Sequence, residues 1–282
     1  MPSAETLNIL VTLDENYVPP LRTMLKSLFL NNPAERFDVY MAFDEMPGHL
    51  IEGLSALCRS HGCRLIPLRV DGAMFAEAPI VRYYSRAMYF RLLAAEILPD
   101  DLDRALYLDP DTLIVNQVRS LYEIDLSDHL FAAAMHDDPI GLTKHINRIR
   151  LGVPDASGYY NSGVLLLNLR RQRREIRRSD IFEYVREHEA ELLLPDQDVL
   201  NALYANRILP LDETLYNYDA RGLDWYYMTS NGEKNADWVM RNTVVLHFCG
   251  KNKPWKKSDR SRFGILYKHY MCLTERDTTS AR

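Results

Sequence analysis

Arg104-Ala105-Leu106-Tyr107-Leu108-Asp109-Pro110-Asp111-Thr112-Leu113-Ile114-Val115 is the stretch on which the reading of the chain turns. Ala105 to Leu108 is a short apolar run bounded by charge, the pattern of a strand buried on both faces of an α/β sheet. Pro110 has no N–H for a ladder, so the strand is expected to stop before it. Asp109 and Asp111 lie two residues apart, so in an extended chain both carboxylates project to one side, just past the carboxyl end of the strand. That edge is where open α/β sheets bind ligands. Two carboxylates aimed at one point repel unless a cation lies between them, and a hard divalent ion takes oxygen ligands. The pair therefore reads as a metal site. The competing reading is an ordinary strand end and turn, where Asp is common. The chain holds three Asp-x-Asp triplets, Asp101/Asp103, Asp109/Asp111 and Asp196/Asp198, so the triplet alone does not decide. The strand before it, the hydrophobic run after it and partners elsewhere favour the metal.

Upstream, Leu7 to Leu13 reads as a first buried strand, central in a parallel sheet, with Asp14-Glu15-Asn16-Tyr17 at its carboxyl end. Pro19 and Pro20 suit the first turn of a helix running through Leu28. Phe37 to Phe43 reads as a second strand, His49 to His61 as a helix and Arg64 to Leu68 as a third strand. Strand and helix in alternation is the α/β signature. The spacing of apolar residues predicts a long helix from Tyr83 to Leu98, ended by Pro99.

Downstream, Leu130 to Met135 reads as a strand, Gly141 to Gly158 as a long, polar, mobile connection and Tyr160 to Leu169 as a strand beginning at a small-residue turn. Arg170 to Arg178 holds six arginines, read either as a solvated face or as contact with an anionic partner. A helix follows from Ile181 to His188. Pro195-Asp196-Gln197-Asp198 opens another, where the dipole favours acidic residues and capping explains both carboxylates. Arg207 to Leu211 suits a strand. Trp225 to Trp238 is aromatic and irregular, able to wall a cleft or to pack over the sheet. Thr243 to His247 reads as an apolar strand ending in His, followed by Gly250, Lys253, Pro254 and Trp255. A strand-end His is either structural or a third ligand; as a ligand beside two carboxylates it turns the preference from Mg²⁺ toward Mn²⁺.

Composition bounds the rest. A 282-residue chain that is 47% hydrophobic and 26% charged has a sizeable core of the ordinary globular kind. The net charge of −5 argues against a dedicated nucleic-acid binder. Cys58, Cys63, Cys249 and Cys272 form no C-x-x-C pair, which fits a reduced, cytoplasmic setting. Neither a signal-peptide pattern nor a run approaching the ~20 apolar residues of a membrane span is visible. With no internal repeat or low-complexity linker, one domain is expected over residues 1–282.

These segments together resemble the retaining glycosyltransferases of family 8, which include bacterial lipooligosaccharide galactosyl- and glucosyltransferases and, more distantly, glycogenin. The likeness runs from Asn8 to about Lys257. Ile9 to Tyr17 looks like the family's nucleotide-binding strand and loop, Tyr89-Phe90-Arg91-Leu92 like its Tyr-x-Arg-Leu helix, and Leu106 to Asp111 like its D-x-D. Tyr160 to Leu165 resembles the Asn-Ser/Ala-Gly-Val segment, Asp196-Gln197-Asp198 the D-Q-D, and His247 to Trp255 the His-x-x-Gly-x-x-Lys-Pro-Trp closing loop.

The resemblance implies a GT-A fold, with a Rossmann-like, mostly parallel central sheet flanked by helices. In it residues 247–257 close over the donor and 258–282 form a short helix or tail. It implies Mn²⁺, or Mg²⁺, held by Asp109, Asp111 and His247, with Pro110 between the carboxylates, and a UDP-hexose donor. Thr12 and Asp14 are expected at uracil with Asn16 nearby, Tyr17 against the base, and Arg91, Asp196 and Asn161 on the hexose. Gln197 is expected by the anomeric carbon, with Gly250 and Lys253 on the diphosphate. Gln197, Asp196 and Lys253 are thus the expected catalytic residues, and an amide at the anomeric carbon favours same-face attack over a covalent intermediate. The acceptor is expected to be a glycan or glycolipid, met in the cytoplasm or at the inner face of the membrane. The long basic, aromatic tail that tethers some members to membranes has no counterpart here, which leaves Lys251, Lys253, Lys256, Lys257, Arg260 and Arg262 as the cations for an anionic surface. The alternative to an enzyme is a UDP-sugar-binding protein without turnover. A nucleotidyltransferase would want a Gly-rich phosphate loop after the first strand, and Leu13 to Tyr17 has no glycine.

Overall fold

The structure, a computed structural model, describes residues 6–71, 75, 87–135 and 158–280. The expected connection from Gly141 to Gly158 lies outside the described residues except for Gly158, as does the start of the expected Tyr83–Leu98 helix.

Among the described residues, ten strands form two sheets. The larger has the order β3-β2-β1-β4-β7-β6-β8. Its members are β1 (Leu7–Thr12), β2 (Phe37–Phe43), β3 (Arg64–Arg69), β4 (Arg104–Leu108), β6 (Phe131–Met135), β7 (Tyr160–Asn168) and β8 (Ile208–Leu211). β1 pairs in parallel with both β2 and β4, so it is internal as expected, and β2 with β3 and β6 with β8 are parallel too. β7 runs against both its neighbours, β4 and β6. The sheet is mostly parallel with one reversed strand.

Alternation explains why these strands are apolar on both faces. Leu10, Tyr107 and Leu165 point into one core, with Phe90, Leu92 and Leu200, while Ile9, Val11, Leu106, Leu108 and Val164 point into the other, with Leu21, Met24, Leu28 and Leu54. The helices Val18–Asn31 and Gly48–Ser60 cover the second face, and Arg178–His188 and Pro195–Tyr204 the first. Pro19 and Pro20 fall in the opening turn of Val18–Asn31, where no intrahelical N–H is required of them.

The smaller sheet, β5-β10-β9, was not apparent in the sequence. β10 (Val245–His247) pairs antiparallel with β5 (Thr112–Ile114) and parallel with β9 (Tyr218–Asp219). The chain crosses from one sheet to the other over Asp109, Pro110 and Asp111, and His247 lies in register with Thr112. The seam between the sheets is where the site forms.

Two expectations are corrected. The described part of the Tyr83–Leu98 helix is two short helices, Ala87–Phe90 and Ala94–Ile97, with a turn at residues 91–93. Periodicity reports burial, and it persists through the turn, while Arg91 leaves the helical path to reach carboxylates. Residues 225–238 are irregular only at 230–235: 225–229 belong to the helix Leu223–Thr229 and 236–238 open the helix Ala236–Asn242, which is capped by Asn235, whose side chain accepts from Trp238 N. Trp225 and Trp238 pack on the core of the smaller sheet, with Tyr218, Leu246, Phe248 and Tyr267 of the helix Gly264–Ser280.

The arginine run starts at the far end of β7, since Asn168 pairs with Arg104 at the opposite sheet edge from Asp109. Arg171 pairs with Glu175 at 3.3 Å, Arg173 donates to the carbonyls of Leu102 and Pro99 at 2.7 Å, and Arg178 pairs with Glu96. Arg170, Arg174 and Arg177 are exposed. Among the described residues no helix is long and apolar enough to cross a membrane.

Candidate active site

β4 delivers Asp109, the turn at Pro110 delivers Asp111, and β10 delivers His247 to the same point. Each offers one ligand atom, and the three atoms lie within 4.8 Å of one another. His247 Nε2 is 3.3 Å from Asp111 Oδ1 and 3.9 Å from Asp109 Oδ2. Its other nitrogen, Nδ1, is 2.9 Å from Asn217 Oδ1. Asn217 donates through Nδ2 to Asn161 Oδ1 at 2.9 Å, which leaves its oxygen to accept the Nδ1 proton. That arrangement fixes the ring with Nε2 facing the carboxylates, where it would ligate a metal on giving up its proton. Two oxygens and an imidazole nitrogen are a donor set that suits Mn²⁺, so the residues present fit a divalent ion.

The approach requires a glycine. A Cβ at Gly163 would stand 2.3 Å from His247 Cε1 and 2.6 Å from Asp109 Oδ2. Gly163 also accepts the backbone N–H of Asp109 through its carbonyl at 2.8 Å, locking β7 to the turn that carries the carboxylates.

Charges balance locally. Lys253 donates to Asp111 and, at 3.0 Å, to the carbonyl of Phe248. Arg91 lies 3.1 Å from Asp109 and 2.9 Å from Asp196, and it donates to the Ser162 carbonyl at 3.2 Å while stacking on Tyr107 at 4.6 Å. Burial alone would raise the Asp111 carboxyl, but His247 and then Lys253 overcome it and hold the group well below the usual carboxylate range. Burial likewise works against a charged His247, and Cys249 and Asp111 together push it the other way, well above the ordinary imidazole value. Burial opposes the Lys253 ammonium, and Asp111 keeps it protonated.

The expected hexose residues meet here. Asp196 accepts from Ser162 Oγ at 3.0 Å besides pairing with Arg91. Gln197 Oε1 accepts from Asn161 Nδ2 at 3.2 Å and Ser162 N at 3.4 Å. A polar relay thus joins His247 to Gln197 through Asn217 and Asn161. Asp196 and Asp198 divide what capping alone was offered to explain. Asp198 is fully buried and accepts the N–H groups of Leu193 and Leu194 at 2.7 and 3.0 Å and the Tyr159 hydroxyl at 2.7 Å, so it organises the helix start while Asp196 faces Arg91.

The residues expected at the base lie further out. Asp14 caps the turn Glu15–Tyr17, accepting from Asn16 N at 2.8 Å, and Asp14, Asn16 and Tyr17 are exposed. Tyr17 meets Trp255 edge to face at 6.1 Å, joining this turn to the segment 247–257. Thr12 is buried, its hydroxyl 3.1 Å from that of Tyr107, which donates to Asp109 Oδ1 at 2.5 Å. Pro110 is buried in the turn between the carboxylates, and Gly250 adopts φ +82°, which favours glycine.

Sequence reasoning missed Tyr107, Ser162, Gly163 and Asn217. Strand alternation could have found Tyr107, two residues before Asp109 on the same side. For Asn217 no local signal exists, because its role comes from the register of β9 with β10.

A family model described as glycosyl transferase family 8 matches residues 8–259. The chain is 26% identical to general stress protein A of Bacillus subtilis (strain 168), over 97% of this chain and 96% of that one. It is 28% identical to the lipopolysaccharide 1,2-glucosyltransferase of Escherichia coli (strain K12), over 90% of this chain and 74% of the relative. It is 24% identical to the lipopolysaccharide 1,3-galactosyltransferase of Salmonella typhimurium, over 89% and 74%. The crystal structure of the galactosyltransferase LgtC in complex with donor and acceptor sugar analogues superposes with a TM-score of 0.80 at 24% identity, covering 95% of this chain and 96% of LgtC. The last likeness carries the fold, an α/β architecture of the GT-A type. The chain belongs to glycosyl transferase family 8.

Proposed function

We propose that the protein is a Mn²⁺-dependent, retaining hexosyltransferase that moves galactose or glucose from a UDP-hexose to a hydroxyl of a glycan, glycolipid or other cell-envelope acceptor. In this reading residues 1–282 are one catalytic domain, residues 247–257 close over the donor, and the reaction runs in the cytoplasm or at the inner face of the membrane. The observation that carries it is the convergence of Asp109, Asp111 and His247 beside Lys253, Arg91, Asp196 and Gln197 at the seam of the two sheets. The glucosyl- and galactosyltransferase relatives support the two hexoses.

Asp109, Asp111 and His247 would hold the ion, with Asn217 fixing the imidazole. When bound, a divalent cation supplies positive charge where a diphosphate departs. Lys253 adds a second cation from the loop, effective most as negative charge develops on the leaving group. Asp196 is already held by Arg91 and Ser162, so it serves to orient hexose hydroxyls and is a poor nucleophile. Gln197 has its oxygen engaged by Asn161 and Ser162, leaving an amide rather than a carboxylate at the expected anomeric position. This arrangement favours same-face attack by the acceptor hydroxyl, guided by the leaving phosphate. Tyr17, Asp14, Asn16 and Thr12 are assigned to the uridine, and Gly250 to the diphosphate.

The test is release of UDP from a panel of UDP-sugars by purified protein, without acceptor, in Mn²⁺ and in chelator. Slow, metal-dependent release from UDP-galactose or UDP-glucose is expected. UDP binding with no cleavage under any condition, acceptors included, would make the chain a donor-binding protein instead.

A further inference from the structure

Asp219 and Arg221 belong to none of the assignments made so far, yet they stand beside His247 and Gly250. Asp219 ends β9 in parallel register with His247, so the two side chains project to the same face of the smaller sheet. On that face Arg221 folds back onto Asp219. Its backbone N and Nε donate to Asp219 Oδ1, both at 2.9 Å, and Nη2 donates to Oδ2 at 2.5 Å. One edge of the guanidinium is therefore fully committed and its plane is fixed. Nη1 remains, and among the described residues no hydrogen-bond acceptor takes it. It stands over Gly250, where a Cβ would lie only 2.8 Å from it.

Depth distinguishes this cation from the others. The Lys253 side chain is 14% exposed and that of His247 5%, whereas that of Arg221 is 56% exposed. Lys253 faces inward to Asp111, and Arg221 lies outside the glycine turn. Lys251 follows Gly250 and is exposed, and Lys256 returns to donate to its carbonyl at 3.3 Å, so the rim carries further positive charge. The inner cations suit a group bound deep in the seam; the outer one suits a group that arrives later from solvent.

We propose that Arg221, held by Asp219, is an anion-recognition residue for the acceptor, and that the acceptor is an acidic saccharide carrying a carboxylate or a phosphate. This rests on the donor reading above. A guanidinium with one edge locked offers the other as a preorganised fork, the geometry that carboxylate and phosphate match in two bonds. Rigid presentation lowers the ordering cost of the contact.

The experiment compares matched ligands: p-nitrophenyl β-glucuronide against p-nitrophenyl β-glucoside, and glucose 6-phosphate against glucose. Each is titrated by ligand-observed NMR into protein saturated with UDP and Mn²⁺. Charged hydrogen bonds of this kind favour the acidic member of a pair by about tenfold or more. In Arg221→Gln the preference is expected to fall to within about twofold, and Arg221→Lys to keep part of it, since a point charge remains without the fork. Equal affinity within each pair, failure of all four to bind, or a preference that survives Arg221→Gln would overturn the proposal. A rise in the donor KM for acceptor-free UDP release in Arg221→Gln, with acceptor preference intact, would assign the residue to the donor instead. The titrations are repeated on the free protein, so a failure of UDP to bind, which would sink the donor reading, leaves the preference at Arg221 separately readable.

Discussion

Lys253 and His247 share one carboxylate: the ammonium donates to Asp111 Oδ2, and the imidazole Nε2 lies 3.3 Å from Asp111 Oδ1. Lys253 thus stands where it competes with any other cation for Asp111. In Lys253→Met the competitor is gone, and Mn²⁺ should bind the donor-free protein about tenfold more tightly, equivalent to ~1.4 kcal/mol. Turnover should nonetheless fall, because the charge that stabilises the leaving diphosphate goes with it. Mn²⁺ titration by electron paramagnetic resonance checks the first effect and UDP release the second. Unchanged or weaker metal binding would show that Lys253 does not compete for Asp111.

Asn217 touches no carboxylate and no expected substrate atom, yet it accepts from His247 Nδ1. Asn217→Leu leaves that N–H without a partner and frees the imidazole to rotate. Loss of such a support costs about 10–100-fold in metal affinity. The expected signature is a weaker Mn²⁺ Kd with the circular dichroism spectrum of the native fold. An affinity equal to that of the parent protein would remove Asn217 from the site.

Gly163 is where β7 passes beneath the cluster. Gly163→Ala pushes a methyl into His247 and Asp109, a crowding that costs about 1–3 kcal/mol in a packed interior. Both thermal stability and metal binding should drop, in contrast to Asn217→Leu. A variant that binds Mn²⁺ normally would mean that the two residues can part without loss.

The sequence carried the site's ligands better than its scaffolding. Asp109 and Asp111 were legible because a strand precedes them and a proline separates them, and His247 because it ends an apolar run. Arg91 was placed on a continuous helix because apolar spacing runs unbroken through residues that in fact turn. Trp225 to Trp238 looked irregular because its two helices are short and crowded with aromatics, with the cap at Asn235 as the overlooked signal. The smaller sheet escaped notice because its strands are two or three residues long, with β10 pairing to β5 across more than a hundred residues and to β9 across 28. Asn217 depends on that pairing, so nothing local could reveal it.

The cysteines give an independent check on packing. Cys58 and Cys63 are buried, and burial pushes the Cys58 thiol up to about 12 and raises Cys63 as well. Near pH 8 both should resist a thiol reagent until the protein unfolds, whereas exposed Cys272 should react at once. Partly buried Cys249, between His247 and Gly250, should react slowly and become protected by UDP with Mn²⁺. Mass spectrometry of the labelled peptides reads all four, and rapid labelling of Cys58 in native protein would contradict the packing of the helix Gly48–Ser60.

The most direct test of the account is metal-dependent UDP release from UDP-galactose and UDP-glucose by the parent protein and by Asp111→Asn. An amide keeps the shape of the carboxylate but not its charge, so the fold should persist. Release should fall by at least about a hundredfold, the scale of several kcal/mol that a bound metal supplies. Undiminished release by Asp111→Asn in Mn²⁺ would contradict the metal site on which the whole reading rests.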